Sequence, residues 1–165
     1  MRYIKWPFLS LIIFIVQIKL STFFNVPINL LVILVYAYSL KNLPEQPQKN
    51  IYPDWAKNIK IVLFGVLIGF FEDILSEDII GPSLFSKGMV AFLTIRLFTG
   101  LFFKWTPLLG AIFLLALTLI DNLVIYGFKT LFSNITISNL FLLKTILLQM
   151  ALNIPFGIII KGKSS

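Results

Sequence analysis

The chain has 165 residues, of which 58% are hydrophobic and 13% charged, with a mean hydropathy of +0.94. A soluble domain carries about 25% charged residues because its surface faces water, so this composition excludes both disorder and a soluble core with a polar shell. The net charge of +7 comes from basic residues in short loops between apolar runs, the pattern of cytoplasmic loops rather than of a nucleic-acid face, and the absence of Cys and His removes disulfides, thiol chemistry, zinc sites and the usual general base.

A bilayer core about 30 Å thick needs roughly 20 residues of helix. The apolar runs predict an all-α membrane protein of about six transmembrane helices in one polytopic domain covering 1–165. The spans fall at 6–24, 26–40, 58–75, 84–103, 107–128 and 137–160. The first follows a basic flank, Arg2 and Lys5, but ends in Ser21-Thr22-Phe23-Phe24 without a small-x-small cleavage site. It therefore reads as a retained span with its N-terminus inside. The second holds only about 15 residues, or about 22 Å of helix, and must follow a tight turn at Asn25-Val26-Pro27. It is either a short span or one arm of a re-entrant hairpin. Between the second and third spans, Pro44, Pro47 and Pro53 prevent a folded insert and mark a cytoplasmic loop, with Asp54 as an N-cap for the third helix.

Orientation follows from basic bias. Arg2, Lys5, Lys41, Lys49, Lys57, Lys60, Lys104, Lys161 and Lys163 fall on the side of the N-terminus; Lys19, Lys87 and Lys129 fall outside, beside Glu72, Asp73, Glu77 and Asp78. Both termini are expected in the cytoplasm. Trp6, Trp55 and Trp105 fall at the cytoplasmic span ends, where indoles prefer to sit.

Polar residues within the spans need partners. Asp121 and Lys144 come out at similar depths, about 21 Å from the inner side and about 10 Å from the outer side, which predicts an Asp121–Lys144 pair. Gly65, Gly69 and Asp73 share one helix face by their i, i+4, i+8 spacing and read as a packing or partner seam that continues through Ser76 and Gly81. Gln149, Asn153 and Gly157 form a second such stripe on the last helix, with Pro155 on another face. Arg96 lies near a cytoplasmic end and is expected to snorkel. The carboxylates at 72–78 could serve a metal or a proton relay. Adjacent Glu72 and Asp73 point to different faces, however, and Glu77 and Asp78 sit in a watered loop. The expectation is a polar loop with one packed carboxylate, and no catalytic, cofactor-binding or metal-ligating residue. Asn134-Ile135-Thr136 matches a glycosylation sequon and is assigned no role.

The segment Gly65-Val-Leu-Ile-Gly69-Phe-Phe-Glu-Asp73-Ile-Leu-Ser76, with Ile80-Gly81 and Leu84-Phe85-Ser86-Lys87, resembles the central segment of the MreD family of rod shape-determining membrane proteins. Pro27-Ile-Asn29, Asp121 and Asn153-x-Pro155 resemble further family positions, while Glu77 stands where the family has Gly. The resemblance implies a non-enzymatic inner-membrane scaffold without a cofactor. Its implied partners are MreC and a rod complex containing MreB, RodA and a class B penicillin-binding protein, which directs side-wall peptidoglycan synthesis and cell shape. The alternative expectation is a substrate-binding membrane subunit of an energy-coupling-factor vitamin transporter. Such subunits dock through small residues on the first helix, where this chain has the bulky run Phe8-Leu-Ser-Leu-Ile-Ile-Phe. A third class, a lipid or ion transporter, would use Asp73 or Asp121 as its coupling site.

Overall fold

The computed structural model describes residues 5–25, 28–43, 55–76, 80–101, 105–132 and 138–161. The turn at Val26-Pro27, the proline loop with Asp54, the pair Glu77 and Asp78, and the 134–136 sequon lie outside them.

Every regular element among the described residues is helical. The order is α1 (Lys5–Phe24), α2 (Leu31–Asn42), α3 (Trp55–Leu75), α4 (Pro82–Arg96, continued by a π turn Leu97–Leu101), α5 (Pro107–Phe132) and α6 (Asn139–Ile159). These match the six apolar runs closely, with one informative exception. The second helix begins at Leu31, not near residue 26, because α1 governs its start. Asn25 closes α1 with a left-handed φ of 51°. Ser21 then accepts the Ile28 N–H at 2.8 Å, and the Gln17 carbonyl accepts the N–H groups of Leu30 at 2.8 Å and Leu31 at 3.3 Å. Side chains of one helix thus satisfy the orphan donors at the N-terminus of the next.

At 12 residues α2 is about 18 Å long. Leu31 through Tyr36 are all buried, together with Ser39 and Leu40. A helix apolar around its whole circumference belongs at the centre of a bundle. α2 accordingly touches each of the other five helices, and its residues form the middle of a core completed by Ile61, Ile68, Val90, Ala91, Leu114 and Leu117. The tightest pairs around it are α3 with α4 and α5 with α6. At one end, Trp6 meets Tyr38 edge-on at 4.9 Å, Tyr38 stacks on Phe64 at 3.8 Å, and Lys41 lies 5.7 Å above the Trp6 ring.

Two helices, α5 and α6, are long and apolar enough to cross a membrane by length and composition. The distribution of side chains is inverted relative to a water-soluble bundle. Large apolar residues cover the outside, among them Phe8, Leu11, Leu67, Phe92, Leu123 and Leu147. The interior holds Gln17, Asn29, Glu72, Asp73, Lys87, Asp121, Asn122, Gln149 and Asn153.

Candidate functional site

The predicted seam on α3 is a contact with α4. A Cβ added at Gly65 would stand 2.5 Å from the Lys87 carbonyl oxygen and 2.9 Å from the Ala91 Cβ, and one added at Gly69 would collide with the backbone of Ser83. Only hydrogen at these positions lets the two backbones come so close. The spacing of Ser83, Lys87 and Ala91 on α4 mirrors that of the glycines.

Asp73 completes this seam as a cap. Its carboxylate accepts the N–H groups of Gly81 (2.8 Å), Ser83 (3.0 Å) and Leu84 (3.0 Å). Pro82, at the first helical position, has no N–H to satisfy, and Phe85 N–H bonds back to Gly81 at 2.9 Å. Every donor of the first turn of α4 is thereby used, and a negative charge sits at the positive end of the helix dipole. Gly81 carries a φ of 132°, a conformation that side-chain-bearing residues rarely adopt. Ser76 closes α3 by donating its hydroxyl to the Asp73 carbonyl at 3.1 Å.

Next to this cap lies a cluster drawn from four helices and from Asn29 in the turn before α2. Lys87 is fully buried, and its ammonium stands 2.8 Å from Asp121 Oδ1 and 3.0 Å from Glu72 Oε2. Asp121 also accepts the Ser86 hydroxyl and, at 3.0 Å, the Asn29 amide. Glu72 Oε1 accepts the Gln17 amide at 3.2 Å. Gln17 therefore joins this cluster to the N-terminus of α2. Beside Glu72 a groove of about 210 Å³ opens between α1 and α3, walled by Leu11, Phe14, Ile68 and Phe71.

The stripe on α6 meets a matching stripe on α5. Asn122 donates to Gln149 at 2.6 Å and to the Thr118 carbonyl at 2.8 Å, while Asn153 donates to the Thr118 hydroxyl at 2.8 Å. Farther along, a Cβ at Gly157 would stand 2.7 Å from the Ala111 Cα. The residues at 110, 118 and 122 lie on one face, as do those at 149, 153 and 157. α6 continues through Pro155, which points to the exposed side.

Two expectations require correction. Asp121 is paired with Lys87, not with Lys144, which is exposed on α6. A shared depth does not establish a shared face, and Lys87 reaches Asp121 directly from α4. Lys87 and Glu72 were both expected at or beyond the end of a span, as outer polar residues, yet both are buried. Glu72 and Asp73 do point to different faces, but both faces are packed: Asp73 meets the start of α4, and Glu72 meets Lys87 and α1. Gln17 went unread although it is the only amide in α1 and follows the apolar run Leu11–Val16, and Lys87 could have been found from its i+4 register with Ser83 and Ala91. Arg96 is exposed, its guanidinium 5.5 Å from the centre of the Phe92 ring.

No family model, curated protein or solved structure matches the chain.

Proposed function

We propose that the chain is an integral membrane protein of the bacterial inner membrane, with six spans and both termini in the cytoplasm. In this reading it is a non-catalytic scaffold of the MreD type. The observation that carries the membrane reading is the inverted side-chain distribution: apolar outside, with polar groups inside that satisfy one another and the helix N-termini. Within a bilayer no water is available for those groups, so helices must cap each other. α2 is too short to span alone and is shielded by its five neighbours. Withdrawing Lys87 from the outer charges sharpens the positive-inside bias, and Lys144 can extend along its helix toward the outer headgroups.

The scaffold reading rests on the resemblance of residues 65–87. Those residues form the closest helix–helix seam and the cap of α4. Within that segment the Asp73 carboxylate is committed to the first N–H groups of α4. The partner in this reading is MreC, within a complex containing MreB, RodA and a class B penicillin-binding protein that directs side-wall peptidoglycan synthesis. Co-purification of the tagged full chain with an MreC homologue from detergent-solubilised membranes tests this. Recovery of the pair is expected. Failure to recover it, with instead a transporter ATPase module bound, would contradict the scaffold and favour a vitamin-transporter subunit.

A further inference from the structure

Three helices bring lysines together around one aromatic stack. Lys41 lies 5.7 Å over the Trp6 ring, and Lys5 precedes Trp6 in the chain. Trp6 meets Phe64 at 6.2 Å, and Phe64 stacks on Tyr38 at 3.8 Å. α2 runs against α3, since its start is joined to Glu72 through Gln17 while its end meets Phe64. Lys41, one turn after Tyr38, and Lys60, one turn before Phe64, therefore fall at the same end of the bundle. Lys5, Lys41 and Lys60 are all exposed there. Among the described residues no carboxylate stands at this end: Glu72, Asp73 and Asp121 are buried past the midpoints of α3 and α5. The adjoining sequence keeps the imbalance, with six basic residues in 1–6 and 41–60 against Glu45 and Asp54.

We propose that this corner binds one anionic phospholipid of the cytoplasmic leaflet, its phosphate among Lys5, Lys41 and Lys60 and an acyl chain in the groove between α1 and α3. Basic side chains at a span end attract anionic headgroups, and the aromatic stack beneath them suits the headgroup level. The groove begins where such a lipid would turn apolar. Ser10 is one turn past Trp6, Ile68 is one turn past Phe64, and the walls continue to Phe14, Phe71 and Leu75. From Phe64 to Leu75 is about 16 Å of helix, close to the ~15 Å that one leaflet contributes to the bilayer core. At about 210 Å³ the groove is too small for a helix some 10 Å across but accommodates a segment of hydrocarbon chain. Glu72, at its far end, is turned to Gln17 and Lys87, so the walls are mainly apolar. A soluble anion or an acidic protein segment would answer the lysines and leave the groove unused.

The inference rests on the membrane reading and its orientation. The test is native mass spectrometry of the purified full chain in detergent. It is titrated with dioleoylphosphatidylglycerol, with dioleoylphosphatidylcholine, which has the same chains, with inorganic phosphate and with a polyglutamate peptide. Retention of phosphatidylglycerol in preference to phosphatidylcholine is expected. Lys5→Gln, Lys41→Gln and Lys60→Gln should each weaken it by about fivefold, while Lys144→Gln should not. Leu11→Trp, which fills the groove, should lower retention of both lipids. The three lysines are exposed, so their variants should keep the wild-type melting temperature in lipid-free detergent. Equal retention of the two lipids, or binding unchanged in the lysine variants or in Leu11→Trp, overturns the proposal. So does tighter binding of phosphate or of the peptide, which would assign the corner to a soluble anion or to an acidic protein segment. A chain that stays dispersed in buffer without detergent defeats the membrane reading and the site with it; one that needs detergent yet shows no preference for phosphatidylglycerol defeats the lipid site alone.

Discussion

Lys87 is the residue whose surroundings depart furthest from its type. An ammonium without water is stable only when anions and hydrogen-bond acceptors replace the lost hydration. Here Asp121 at 2.8 Å and Glu72 at 3.0 Å supply that replacement. The pair adds little net stability over apolar residues of the same shape, but removing one member leaves a buried charge uncompensated. Lys87→Met should therefore destabilise the protein by about 3–5 kcal/mol, measured as a lower melting temperature in detergent and a lower steady-state level. Lys144→Leu should leave both near wild type, because Lys144 is exposed and Asp121 has another partner. Equal sensitivity of the two positions would count against the Lys87 cluster. This site was only half legible in the sequence. Asp121 stood out inside an apolar run, whereas Lys87 sits near a helix start and resembled a loop charge. The choice between Lys87 and Lys144 depends on which face of α4 and α6 meets α5, and span lengths carry no such information.

At the level of elements, seams built from one helix face were readable, and contacts made across chain reversals were not. The i, i+4 stripes of α3 and α6 identified Gly65, Gly69, Gln149, Asn153 and Gly157 as packing positions, and all five pack. The late start of α2 was hidden because it is set by Gln17, 13 residues earlier in the chain. The same holds for α4, whose cap comes from Asp73 rather than from a residue beside its own N-terminus. The α3–α4 seam makes a sharp prediction. Gly69→Val places carbon against the Ser83 backbone, which has no flexible end to yield. Such overpacking typically costs about 1–3 kcal/mol. Thermal unfolding in detergent should show the loss, while the same change at Gly127, where an added Cβ meets nothing within 4 Å, should cost far less. A comparable loss at both glycines would mean that the seam is not the close contact described here.

For the whole molecule, composition carried most of the information. The low charge content and long apolar runs anticipated a helical bundle with an apolar exterior, and the six helices lie where those runs lie. What composition could not convey is how the interior polar groups divide among partners. They form two connected networks, one around Lys87 and one between α5 and α6, which meet at the neighbouring residues Asp121 and Asn122. The proposed topology places Ser76 outside and Lys161 inside, with Leu147 facing lipid. The native chain has no Cys, so single cysteines introduced at these three positions report on topology without background. In intact spheroplasts, a membrane-impermeant maleimide should label Cys at 76, should label Cys at 161 only after permeabilisation, and should leave Cys at 147 unlabelled in both. Labelling of positions 76 and 161 from the same side, or ready labelling at 147 before any solubilisation, would contradict the membrane-spanning bundle.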